Sequence, residues 1–385
     1  MSFIFDIKIV KQKEVSEINV TDGFVVVGDI HLYNAYPYSD RTELISSRLS
    51  DLEKVLYDIG YVCRQYKLPL IMNGDIIHSG TFDFAVEHIL TKFLMEFEDI
   101  LIFINLGNHD LDGDVTVLEP LVKISKNTQH FIVTSPQNYA INKTLIFCFM
   151  PFSKLEKTIV GLKKLSKKLD ESRTNVLFIH NTFSNIRFQN NVYSVSGLNQ
   201  KMKLLRVFDM IVASHIHKYQ IICNKRGFYT SSIIPLGFGE RKKEHGYHII
   251  DLKKRIRYFI IPDAPSFKYI NSTDVNNIAS KKVNGCFICV KVKDTVLGTI
   301  DKGKIKKTLV SKGALFVKFK VERSSQKHTF KSNEPEDNLD IKTILVSYSE
   351  HLSEKFSLKR KEVEREGLLI LEKVKDAFSE RKLGG

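Results

Sequence analysis

Five times along this chain an apolar run stops abruptly at a residue able to bind a cation or move a proton. Residues 25–28 lead into Asp29-Ile30-His31, residues 68–72 into Asn73-Gly74-Asp75, and residues 102–106 into Gly107-Asn108-His109-Asp110. Residues 176–179 lead into His180, and residues 210–213 into Ser214-His215-Ile216-His217. A buried strand of an α/β sheet delivers a polar group to its carboxyl end in this way, so the pattern predicts strands whose ends supply one site. Gly74 lets the backbone turn sharply beside Asp75, the residue best placed to touch two cations at once.

The segments between these runs supply the connections. Leu44, Leu49, Leu52, Leu56, Ile59 and Cys63 follow near-helical spacing, so a long amphipathic helix joins the first two site strands as a right-handed β-α-β unit. Residues 85–97 repeat the helical pattern, and helices are also expected over 115–126 and 154–171, the latter burying Leu155, Ile159, Leu162 and Leu165. Strands are expected near 131–134 and 145–150. Asp112-Gly113-Asp114 lacks the spaced glutamate of a calcium loop and reads as a solvated loop. From Asp209 the pattern becomes short strands at 210–213, 219–223, 228–232, 247–251 and 256–261. The alternation before Asp22 suits an extra strand or arm.

Pro262-Asp263-Ala264-Pro265 breaks the strand run and suggests a boundary, giving domains 1–268, 269–340 and 341–385. At 385 residues, two or three units are expected. The middle domain carries about twice as many basic as acidic residues and strand-like pieces at 287–292 and 314–321, which suits a small α+β module facing nucleic acid; an ordinary basic surface is the alternative. Residues 333–340 read as a polar linker. The tail reads as helical, with stripes at Ile341, Leu345, Tyr348, Leu352 and Phe356 and at Leu371, Val374 and Phe378, suited either to docking a partner or to packing on its own domain.

The formal net charge of +14 favours a polyanionic partner, although it also serves solubility alone. Five cysteines make no disulfide framework and suit a reducing compartment. Cys286 and Cys289 have knuckle-like spacing, but on a strand they face opposite sides, so they are expected to be core thiols. No uninterrupted apolar span reaches membrane length, and a soluble protein is expected, cytoplasmic or, in a eukaryote, nuclear. Two Asp, one Asn and four His at the strand ends form a mixed oxygen and imidazole set suited to manganese, iron or zinc. Two such ions can hold and polarise a phosphate and activate water for in-line attack.

These elements resemble the calcineurin-like metallophosphoesterases, whose pattern runs D-x-H, G-D, G-N-H-[DE], a lone H, then H-x-H. Within them the chain is similar to the double-strand-break repair nucleases: the bacterial SbcD subunit, the meiotic recombination nuclease, and the T-even phage recombination endonuclease subunit. Asp75-Ile76-Ile77-His78, Pro151-Phe152, Ser214 to Gln220, Tyr229 to Ser232 and Phe238-Gly239-Glu240 carry that closer likeness. Gly28 stands where the family usually has Ser or Thr, and Ser214 and Ser231 replace common glycines. The resemblance implies a four-layer β-sandwich flanked by helices, with a small α+β capping domain and a helical tail. It implies one manganese held by Asp29, His31, Asp75 and His217, and another by Asp75, Asn108, His180 and His215. His109 would lie by the scissile phosphate with Asp110 orienting it, and His78 would lie nearby. The activity implied is a DNA exonuclease on duplex ends and single-strand endonuclease, a homodimer through the helices after the first two site strands, acting with an SbcC-type coiled-coil ATPase. A phosphatase or small-phosphodiester hydrolase on the same fold is the second expectation, and a non-catalytic DNA-end scaffold the third. His88, His130, His245, His248 and His351 match nothing and are expected at the surface or in packing.

Overall fold

The computed structural model describes residues 8–10, 23–36, 38–39, 44–80, 83–118, 121, 129–188, 192–240, 245–251, 255–261 and 264–322. The tail at 341–385, the linker at 333–340 and His351 lie outside them.

The apolar runs form strands buried on both faces, and alternate side chains separate three cores. Strand β1, Lys8–Val10, is the edge of the first sheet and corresponds to the expected extra strand. In β2, Gly23–Val27, Phe24 and Val26 face one way while Val25 and Val27 face the other. Helix α1, Ser47–Tyr66, starts where the Ser46 hydroxyl accepts from Leu49 N and ends where Lys67 turns left-handed. It returns the chain to β3, Leu70–Asn73; α2, Phe84–Glu96, capped by Asp83, leads to β4, Ile102–Asn105. The helix expected over 115–126 is not found at its start. Leu111–Asp112 (β5) and Val115–Thr116 (β6) pair as a hairpin about Gly113, whose positive φ favours a turn; residues 122–128 lie outside the described set.

Strand β7, His130–Val133, completes the run of parallel strands β2-β3-β4-β7. The second sheet holds β8, Gln137–Ala140; β9, Leu145–Met150; β10, Thr174–His180; β11, Met210–Ser214; β12, Gln220–Ile222; and β13, Gly227–Tyr229. Helix α3, Leu155–Ser166, covers its outer face with Leu162 and Leu165; Ile159 is partly buried and Leu155, at the helix start, is exposed. Strands β14, Gly246–Asp251, and β15, Arg255–Ile260, extend the first sheet beyond β2 to β1.

The inner faces of the two sheets meet in a phenylalanine-rich layer. Phe24, Phe103, Phe147, Phe149, Phe178 and Phe228 are buried there, with Phe149 and Phe178 centroids 5.0 Å apart. Each such ring removed from water contributes about 1.5–3 kcal/mol, which explains why the sheets stay in face-to-face register. Helices α1 and α2 cover the first sheet's outer face, so the body has four layers, helix, sheet, sheet and helix.

Strands β16, Ser266–Asn271, β17, Cys286–Lys293, and β18, Phe316–Glu322, form a separate parallel sheet; α4, Lys302–Ser311, joins the last two. Cys286 and Cys289 are free, buried and on opposite faces of β17, in two different apolar clusters. Arg48 of α1, fully buried, donates to the Pro235 carbonyl at 2.7 Å and lies over Tyr36, Phe267 and Phe287, tying this module to the body. Among the described residues no helix is long and apolar enough to cross a membrane.

Candidate metal centre

The five strand ends meet. After β2 and β3 the chain continues as two neighbouring turns, with Asp29 N donating to Gly74 O (3.1 Å) and His31 N to Asp75 O (2.9 Å). To aim their side chains inward, Asp29, His31 and Asp75 adopt left-handed φ of 50°, 52° and 51°, and His215 has φ 98°. Such conformations cost of order 1–3 kcal/mol each in non-glycine residues and cluster at functional sites. Gly74 also has positive φ, and any side chain there would collide with the His180 ring.

Two sets of donors share Asp75. Asp29, His31, Asp75 and His217 present ligand atoms within 4.8 Å of one another, as do Asp75, His180 and His215. His31 Nε2 lies 3.6 Å from Asp75 Oδ2, and His180 Nε2 lies 3.3 Å from Asp75 Oδ1, so the two carboxylate oxygens face different sets. Asn108 Oδ1 joins the second set, 3.3 Å from His180 Nε2. The Nε2 atoms of His31 and His217 approach to 3.0 Å. Imidazole nitrogens aimed at one another among carboxylates suit a shared cation, and this donor set fits a pair of borderline divalent ions.

His109 sits at the partly open side, its ring 4.9 Å from that of His31. Its backbone N–H donates to Asp75 Oδ1 (2.9 Å), and its Nδ1 lies 2.5 Å from the His78 carbonyl. His78 stacks on it at 5.7 Å and lies 3.3 Å, Nδ1 to Nδ1, from His31. Asp110 takes a different part from the one expected. Its buried carboxylate accepts from Ile76 N, Ile77 N and Gly107 N, at 2.8, 3.1 and 2.8 Å, because three converging amides claim its oxygens; it fastens the turns carrying Asp75 and Asn108 instead of orienting the His109 ring.

The departures at Gly28 and Ser214 compensate each other. A side chain at Gly28 would collide with the hydroxyls of Ser214 and Thr230, so the hydroxyl absent from residue 28 is delivered from β11. Ser214 Oγ accepts from Asn73 Nδ2 (3.0 Å), and Asn105 Nδ2 donates to Asn73 Oδ1 (2.9 Å), a buried amide chain linking β11, β3 and β4. Ser231, the other departure, holds φ 96°, a conformation natural to glycine.

The family model described as calcineurin-like phosphoesterase matches residues 23–219, just over half of the chain. The chain belongs to the calcineurin-like phosphoesterase family. Among solved structures, a dimetal phosphatase from Danio rerio aligns at 11% identity and a TM-score of 0.41, covering 61% of this chain and 93% of that one. No curated protein sequence matches it.

The electrostatics of this phosphoesterase arise from burial and the shared carboxylates. Burial pulls the His180 imidazole down, but Asp75 more than offsets it and holds it at about 9. His217 is likewise pulled down by burial and held at about 9 by Asp29 and Glu240. Burial and the neighbouring His180 lower His215 to about 4. Asp29 is pushed up to about 6 by burial, opposed by His217 and His180, whereas for Asp75 the burial effect is outweighed by His180 and the carboxyl is held low. A divalent cation held here would compete with protons for these imidazoles.

Glu240 contacts a candidate ligand that local spacing did not link to it. Its Oε1 lies 2.6 Å from His217 Nδ1. The family-like 238–240 segment drew attention to it, but no local pattern places residue 240 beside residue 217. His245, expected at the surface or in packing, is buried against it, with Nε2 3.2 Å from the Glu240 carbonyl.

Proposed function

We propose that this phosphoesterase is a divalent-metal-dependent DNA nuclease, with manganese its working ion, that cuts at duplex ends and within single strands. The observation that carries the reading is a pair of donor sets joined by Asp75 and connected to a lysine-rich module. Tyr36 donates to the His31 carbonyl (2.8 Å) and stacks on Tyr38 at 5.9 Å, and Tyr38 lies 5.0 Å from Phe267 of β16. Residues 264–322 contain twelve lysines against four acidic residues, a balance that favours a phosphate backbone over a small neutral substrate.

In this reading Asp29, His31, Asp75 and His217 hold one ion, and Asp75, Asn108, His180 and His215 the other. Bound there, two divalent ions supply positive charge that polarises the phosphate and lowers the pKa of water. The protein's own part is orientation and proton movement. With Nδ1–H donated to the His78 carbonyl, the His109 ring leaves Nε2 to hold a proton for the departing oxygen. His78, stacked against it, narrows the space beside the phosphate.

An intracellular setting suits the five free, buried thiols. A homodimer through α1 and α2 is supported by the exposed Tyr61, Phe84 and Met95 on those helices. The region 341–385 is assigned to an SbcC-type ATPase partner on the sequence resemblance.

The test is digestion of end-labelled duplex and single-stranded DNA with manganese, beside bis-p-nitrophenyl phosphate. Wild type is expected to cut both DNAs, and Asp75→Ala and His109→Ser to lose at least about 100-fold. Hydrolysis of the small ester alone, with or without added ATPase partner, would overturn the nuclease reading and leave the phosphoesterase.

A further inference from the structure

His217 and His180 occupy corresponding places in the two donor sets, yet they are held differently. His180 Nδ1 lies 3.0 Å from the backbone carbonyl of Asn73. His217 Nδ1 instead meets the buried carboxylate of Glu240 at 2.6 Å, on the opposite side of the ring from the Nε2 that faces His31. A carboxylate receiving Nδ1–H fixes the tautomer, leaves the Nε2 lone pair for a ligand, and makes that nitrogen a stronger donor than a carbonyl would.

The carboxylate itself has little freedom. Its second oxygen accepts from Ser232 Oγ (2.9 Å) and from Leu236 N (3.1 Å). His245 closes the arrangement from behind, with Nδ1 2.9 Å from Ser232 Oγ. The loop between Ser232 and Glu240 is anchored at two further carbonyls, Pro235 by Arg48 and Leu236 by the Tyr38 hydroxyl. Phe238 packs on Phe267 at 4.9 Å. A carboxylate fastened by a hydroxyl, an amide and an anchored loop can hold one ring at one angle.

We propose that Glu240 is the positioning residue of His217, and that through His217 it sets metal affinity in the Asp29, His31, Asp75 and His217 half of the centre without governing the His180 half. The proposal rests on the metal-centre reading and does not depend on DNA being the substrate.

Full-length protein stripped with a chelator is titrated with manganese, free manganese being counted by electron paramagnetic resonance. The chelated proteins are also melted by circular dichroism. Wild type is expected to bind two ions. Glu240→Ala is expected to keep one ion at wild-type affinity and to bind the other about 10–100-fold more weakly. Glu240→Gln should recover part of the loss, since an amide oxygen still accepts from Nδ1–H, and Ser232→Ala should show a smaller loss in the same half. Two ions bound as in wild type by Glu240→Ala, while His217→Ala loses one, would overturn the proposal. So would equal weakening of both ions with a lowered melting temperature, which marks general loosening of the loop. If Glu240→Ala does not fold, wild-type binding by both Glu240→Gln and Ser232→Ala would overturn it. Two ions bound normally by His217→Ala would defeat the proposal and the assignment of the centre together.

Discussion

Asp29, His31 and Asp75 hold left-handed backbone conformations that ordinary side chains avoid, and each aims a ligand atom at the same small volume. Individually these residues were legible in the sequence, because each comes after an apolar run that stops abruptly. What holds them was not legible. Asp110 looks like part of the catalytic string, yet its carboxylate serves three amides from two turns, a contact fixed only when β3 and β4 lie side by side. Glu240 is farther still, reaching His217 from a loop that no periodicity marks. Gly74 gives a test at this scale. Gly74→Ala combines a strained φ with a collision against the His180 ring, so kcat/KM on bis-p-nitrophenyl phosphate should fall about 100-fold, the cost of displacing a reacting group by about 1 Å. Unchanged activity would mean that His180 can move without consequence.

At the scale of elements, strands were easier to read than the turns at their ends. The runs at 102–106, 145–150 and 176–180 became buried strands because double-sided burial demands unbroken apolar sequence. The expected helix start at Val115 misled because the apolar residues after Asp114 match helical spacing, while Leu111–Asp112 and Val115–Thr116 instead pair across the Gly113 turn. Asp110 stands at the head of that hairpin, accepting the turn amides through its side chain while its backbone carbonyl accepts from Val117 N (3.1 Å). Asp110→Ala would leave three amides without their acceptor and should lower stability by about 3 kcal/mol, measured by urea denaturation of chelated protein. A change below about 1 kcal/mol would show that water replaces the carboxylate freely.

The whole molecule depends on two sheets closing over a layer that excludes water, and an imidazole lies inside it. His248 of β14 is buried between Tyr219 and Phe228, with centroids 5.5 and 4.8 Å away, and burial lowers its imidazole to about 3. Its folded pKa lies below the unfolded value near 6.5, so the unfolded chain takes the proton first. The stability from keeping this ring neutral is present above pH 6.5 and is lost as pH falls from there toward 3. Between pH 7 and pH 5 wild type should lose about 2 kcal/mol more than His248→Phe, measured by urea denaturation; equal losses would contradict this placement of His248. The sequence carried the sheets, and the strand ends carried the site, but the closure that brings β10 and β11 against β3 and β4 is a property of the assembled sandwich. The most direct test of the shared centre is anomalous diffraction from crystals grown with manganese. Two peaks are expected, one on either side of the Asp75 carboxylate, each within reach of its own histidines; a single peak, or manganese bound away from Asp75, would contradict a shared two-ion centre.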